Sequence, residues 1–128
     1  MKTFFYLLLA LCCAAKKQPV SLIFDTDMAP DYDDVGAMAV LHALADSGEV
    51  DILATVSSNK QETTAPCIDV LNTYFGRPGI PVGAPKGEGV SMDTWHKGLK
   101  WTEELPSRFP HKVESASQAE DAVSVYRR

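Results

Sequence analysis

The first strong pattern in the chain is an unbroken apolar and small-residue run, Phe4 to Ala15 (FFYLLLALCCAA), behind the positive start Met1-Lys2. The run is shorter than the roughly 20 residues that a membrane-spanning helix needs. Its order, charge then apolar stretch then small residues, is that of a secretory signal peptide. Residues 1–15 are therefore read as an export signal, and 16–128 as one α/β domain or part of one. Val20-Ser21-Leu22-Ile23-Phe24 is a compact, apolar, β-branched segment, the signature of a buried strand. From Val35 the apolar positions Ala37, Met38, Leu41, Leu44 and Ala45 fall at helical spacing, and Gly48 stops that helix. A second strand follows at Val50–Val56. Strand, helix and strand joined by short connections predict a parallel pair with a right-handed crossover.

The pattern then repeats. Thr63 or Thr64 can cap a helix with Pro66 in its first turn and Ile68, Leu71, Tyr74 and Phe75 on its apolar face; Gly76 ends it. Ile80-Pro81-Val82 is a short strand whose proline suits an edge or a strand start. Ala84 to Pro110 lacks a clean period and is rich in Gly, Pro and aromatics, so it reads as a long, site-forming loop with a helical turn around Leu99–Leu105. A capping box, Ser117-Gln-Ala-Glu120, precedes Ala119, Ala122, Val123 and Tyr126 at helical spacing, which predicts a last helix running to Arg128. The fold class expected is α/β, an open, mostly parallel, Rossmann-like sheet with helices on both faces. It is incomplete here, because that helix leads into no further strand, and the chain reads as the N-terminal portion of a longer protein.

Composition narrows the function. Seventeen acidic against twelve basic residues give a net charge of −5, the wrong sign for a nucleic-acid-binding face. No stable membrane span is expected either. Of three cysteines, Cys12 and Cys13 fall in the export signal, where a lipid anchor is an alternative. The residue before Cys12, Leu11, is larger than a lipoprotein signal prefers, so a periplasmic or secreted product is favoured. Cys67 alone cannot form an internal disulfide and is read as a small apolar helix residue.

The chemistry concentrates after the first strand. Asp25, Asp27, Asp31, Asp33 and Asp34 lie within ten residues, between a strand and a helix, at the carboxyl edge where open parallel sheets bind ligands. Carboxylates so crowded repel one another unless a cation holds them charged. Hard oxygen donors select Ca²⁺ or Mg²⁺ over zinc. Helix capping and a solvated acidic turn would account for one or two of the five. An EF-hand is excluded: counted from Asp25, position 6 is Pro30 and position 12 is Gly36; counted from Asp31, position 12 is His42. Phe24-Asp25-Thr26-Asp27 also matches the start of a haloacid-dehalogenase phosphatase motif with Asp25 as nucleophile, but Met28-Ala29 departs from its continuation.

The string Asp25-Thr26-Asp27, spacer, Asp33-Asp34 after Leu22-Ile23-Phe24, followed by the small-residue helix start Gly36-Ala37, resembles the inosine–uridine nucleoside hydrolase family. The resemblance continues through Ile52-Leu53-Ala54-Thr55-Val56-Ser57-Ser58-Asn59, a strand ending in asparagine. It extends more loosely through Val70–Val82 and Ser117–Arg128; the aspartate string is its specific part. It implies a nucleoside hydrolase-like fold and a calcium-dependent enzyme cleaving the N-glycosidic bond of a nucleoside to ribose and free base. Carried over by position, Asp27 resembles the calcium-contacting aspartate that takes the proton from the attacking water. Asp34 resembles the principal calcium ligand. Asp33 resembles the group that binds a ribose hydroxyl, with Asp31 its alternative because the spacer is longer than the family's usual form. Asn59 would orient the sugar or the nucleophile, and Asp25 would be a structural hydrogen-bonding residue.

Family members are much longer than this chain, with further ligands in their C-terminal part, so the chain alone is expected to hold an open coordination shell and little activity. The implied partner is a small nucleoside, and a homo-oligomer of the full-length protein is left open. Two other readings compete: a non-catalytic calcium-stabilised binding module, and the phosphatase. His42 is read as a surface or core-edge residue. His96, Trp95 and Trp101 lie in the long loop, where substrate contact and ordinary packing both remain open; His111 has no assigned role.

Overall fold

The computed structural model describes residues 18–128; the export-signal reading lies outside them. The elements in chain order are β1 (Val20–Thr26), α1 (Asp33–Asp46), β2 (Val50–Ser57), α2 (Thr64–Tyr74), β3 (Val82–Ala84), α3 (Trp101–Arg108), β4 (Glu120–Asp121) and α4 (Ala122–Tyr126). The four strands form one sheet in the order β1-β2-β3-β4, and every neighbouring pair is parallel. Parallel neighbours need a crossover, and α1 and α2 supply the first two. The expected α/β open sheet is the fold. Between β1 and β2 the register runs from Val20 opposite Val50 to Thr26 opposite Ser57, with one slip between Leu22 and Ile23 that leaves Leu53 out of the pairing.

Side chains alternate across the sheet, and the two faces are packed unequally. One face meets the larger core, in which Phe24, Val82 and Ala84 lie against Met38 of α1, Ile68 and Leu71 of α2 and Trp101 of α3. The other face carries Ala54 and Val56, covered by Val125 and Ala122 of the short α4. That second contact depends on Gly83. A methyl group there would sit 3.2 Å from the Ala122 backbone and 3.2 Å from the Val125 side chain.

Several expectations are corrected. Helix α1 begins at Asp33 rather than Val35, and it turns Met38, Leu41 and His42 inward while Ala37 and Leu44 stay exposed. His42 is thus a core residue, not a surface one. Burial is tolerated because both ring nitrogens have partners, Asn72 Oδ1 at 3.1 Å and Arg77 at 3.3 Å, and the ring stacks on Phe75. Asn72 in turn donates to Thr55 Oγ1 at 2.8 Å, so a polar chain crosses from α1 through α2 into β2. On α2, Tyr74 is 75% exposed and does not belong to the apolar face.

The capping box at Ser117–Glu120 does not form. Glu120 and Asp121 instead pair with Gly83 and Ala84 as β4, and the helix starts one residue later, where Asp121 accepts from Ser124 N–H at 3.0 Å. Partnering β3 satisfies backbone groups that a helix start at Ser117 would leave open. β3 begins after Pro81, whose carbonyl accepts from Thr55 N–H at 3.0 Å, so the proline marks a strand start rather than an edge strand. In the long loop, α3 runs from Trp101 to Arg108, later than the turn expected at Leu99–Leu105. Gly48 and Gly76 follow α1 and α2 with φ of +75° and +79°, the left-handed geometry that ends a helix.

Candidate functional site

The acidic stretch is divided between elements. Asp25 and Thr26 are the last residues of β1, and Asp33 and Asp34 form the first turn of α1. Between them Met28 and Ala29 are buried in the core, drawing the chain down after Asp27 and back up at Asp31. The corner is held by Thr26 Oγ1, which accepts from Met28 N–H at 3.0 Å.

Asp34 is where the carboxylates converge. Partial burial raises its pKa; a hydrogen bond from Thr26 opposes the shift, while a hydrogen bond shared with Asp27 and the charges of Asp27 and Asp33 reinforce it. Asp27 and Asp33 thus lie near enough to Asp34 for their charges to be felt there. Asp31 stays exposed and adds nothing to that shift. Asp25 alternates to the opposite side of β1, where it accepts a hydrogen bond from Tyr126 of α4. Burial, with Asp25 second, pushes the Tyr126 hydroxyl up to about 12.

Asn59 is fully buried just beyond β2, and its carboxamide is committed to backbone. Its Nδ2 donates to Met92 O at 3.2 Å, and its Oδ1 accepts from Met92 N–H and Gln61 N–H, each at 3.2 Å. The side chain pins the long loop across the end of β2, a role its sequence position did not reveal. A second anchor lies at the end of β1, where Trp101 Nε1–H donates to Pro30 O at 2.9 Å. The loop is thereby tied down beside both strand ends that carry the site.

Other features escaped the sequence reading. Asp69, 2% exposed, accepts from Lys112 N–H at 2.6 Å and Val113 N–H at 2.9 Å. Its signal was available, an aspartate between Ile68 and Val70 in an otherwise apolar helix. A cleft of about 380 Å³ opens beside Lys60, Glu62, Lys86 and Ser117. Lys86 there donates to the carbonyls of Ala116 and Ser117, and Ser117 N–H holds the Glu62 carboxyl below the usual range. Cys67 is buried, and burial pushes its thiol up to about 12, as befits a packing residue.

Among the described residues, no group of three or more His, Cys, Asp or Glu side chains comes together as a ready metal cage. The donors nearest one another, the carboxylates of Asp27 and Asp34, are hard oxygens bearing like charge. That chemistry fits one side of a calcium or magnesium shell. No helix among the described residues is long and apolar enough to cross a membrane. No protein-family model matches the chain, and no curated protein is significantly similar to it.

Proposed function

We infer that this chain carries the aspartate half of a calcium-dependent nucleoside hydrolase site in an exported protein, acting on the N-glycosidic bond of nucleosides to give ribose and free base. The observation that carries the reading is the placement of Asp27, Asp33 and Asp34 between the carboxyl end of β1 and the first turn of α1. Carboxylates crowded at one corner repel, a cation relieves them, and the sheet edge is where such folds bind ligands.

In this reading Asp27 and Asp34 hold the ion, and Asp27 accepts the proton of the attacking water. When bound, calcium would make water more acidic and gather the ribose hydroxyls. Cleaving a ribosyl–nitrogen bond builds positive charge on the sugar, and fixed carboxylates stabilise that charge as it develops. Asp33 takes a ribose hydroxyl, a role supported by its closeness to Asp34, whereas Asp31 stands apart. Asn59 serves the site indirectly by holding the Val90–Met92 segment just beyond the end of β2. Asp25, committed to Tyr126, is poorly disposed to act as a phosphatase nucleophile.

Calcium titration by calorimetry, run beside assays of inosine, uridine and a phosphomonoester on the intact protein, tests the proposal. Heat of calcium uptake with release of free base is expected. Phosphate release without base release, or no uptake at millimolar calcium, would overturn it.

A further inference from the structure

Tyr32 occupies the N-cap position of α1, between Asp31 and Asp33, yet makes no side-chain cap hydrogen bond. Ser, Thr, Asp or Asn would ordinarily fix a helix start there. The first turn of α1, with Asp33 and Asp34, is therefore not fastened by its own cap. The Tyr32 ring is gripped from outside instead. It meets His96 edge-on with centroids 4.9 Å apart, and Trp101 at 5.5 Å.

Both gripping residues belong to one stiff structure. His96 and Leu99 exchange two backbone hydrogen bonds of 3.0 and 2.8 Å around Lys97 and Gly98, whose φ values are +50° and +80°. Two left-handed residues closing a two-residue loop make a tight hairpin turn. That turn leads directly into α3. There Trp101 binds Pro30 O, and the fully buried Thr102 accepts from Thr63 Oγ1 at 3.1 Å, at the N-cap of α2.

We propose that the turn at His96–Leu99 and the start of α3 form an aromatic latch, and that Tyr32 is the positioning residue through which the latch sets Asp33 and Asp34 against Asp27. The latch rests on the proposed calcium site for its purpose, but its mechanical part stands on the contacts alone. Gripping Tyr32 replaces the missing cap with ring contacts and joins the aspartate loop to α2. Linkage makes the effect mutual: an ion held by Asp27 and Asp34 steadies the hairpin, and a loosened hairpin weakens the ion.

The test uses the intact protein and three variants, Tyr32→Phe, Tyr32→Ala and Trp101→Phe. Hydrogen exchange is followed across residues 28–36 and, as a reference, across α2. Tyr32→Phe keeps the ring and should behave as the parent. Tyr32→Ala and Trp101→Phe should speed exchange in 28–36 by about tenfold, with α2 unchanged. Calorimetry with Ca²⁺ alone should show affinity weakened by about tenfold in both, the usual scale when a ligand's supporting contact is lost. Unchanged exchange in 28–36, or faster exchange spread equally through α2, would overturn the latch. A parent that takes up no calcium would sink the proposed function, while the exchange measurements would still decide the latch.

Discussion

Asp34, in the first turn of α1, lies near enough to Asp27, just past the end of β1, for that neighbour's charge to raise its pKa. The link has a sign that can be checked. Burial and its acidic neighbours raise Asp34's pKa, so the folded state holds that proton more tightly than the unfolded chain does. Without a cation, stability falls as pH climbs from the unfolded carboxylate range through Asp34's raised pKa. Asp34→Asn, which removes the titrating carboxyl and its charge, should flatten that fall and stabilise the calcium-free protein by less than about 1 kcal/mol. Urea unfolding at several pH values measures both effects, and calcium should protect the parent but not the variant.

His42 predicts the opposite slope. Burial lowers its pKa from 6.5, with the Asn72 hydrogen bond opposing and the Arg77 charge assisting. A histidine kept neutral in the fold gives stability that is complete above its unfolded value and is lost as pH falls below it. Protonation would also set an N–H against Arg77 where a lone pair now accepts. His42→Ala should abolish this acid sensitivity and cost about 2–4 kcal/mol through the cavity and the unpaired Asn72 amide. Thermal melts at pH 5 and 8 decide it.

Asp69 is expected to matter as much as any apolar core residue. Removing its carboxylate orphans the amides of Lys112 and Val113. Asp69→Ala should cost about 3 kcal/mol, and it should open the segment around Lys112 to proteolysis before the rest unfolds. A melting temperature within a degree of the parent's would contradict this.

Gly83 tests the second face of the sheet. Gly83→Ala should push α4 away by a few tenths of an ångström, and Gly83→Val should detach it. The expected cost for valine is about 1–3 kcal/mol. Tyr126 should then titrate nearer its ordinary value of 10, because it loses burial and Asp25 together. Ultraviolet titration of the tyrosines reads the change.

The sheet was legible where apolar residues carried it. Val20–Phe24 and Val50–Val56 each announce a strand, and the helical spacing between them fixes the parallel connection. The burial expected of Val20–Phe24 is not met, because β1 is an outer strand of the four with Val20 and Ser21 exposed and Leu22–Phe24 only half-buried. β4 was illegible because Glu120-Asp121 has no strand propensity; only the exposed edge of β3 makes it one. His42 turned inward for a reason invisible to periodicity, since its partners Asn72 and Arg77 lie on a later helix and its following turn. At the site, the crowding of aspartates was plain, but which of them meet was not. The strand was read only to Phe24, so the alternation that sets Asp25 and Thr26 on opposite sides of β1 went unused, and spacing could not separate Asp31 from Asp33. Tyr32 did leave a trace: an aromatic residue standing where a helix start calls for a short polar one.

Thr26 has one further consequence. Its carbonyl accepts from Ser58 N–H at 2.9 Å, continuing the ladder past the end of β2, while its hydroxyl accepts from Met28 N–H. One residue thus joins the strand ends through its carbonyl to the descending turn through its side chain, like a rivet. Valine would preserve its shape and pull the rivet, leaving the sheet standing while the acidic corner works loose.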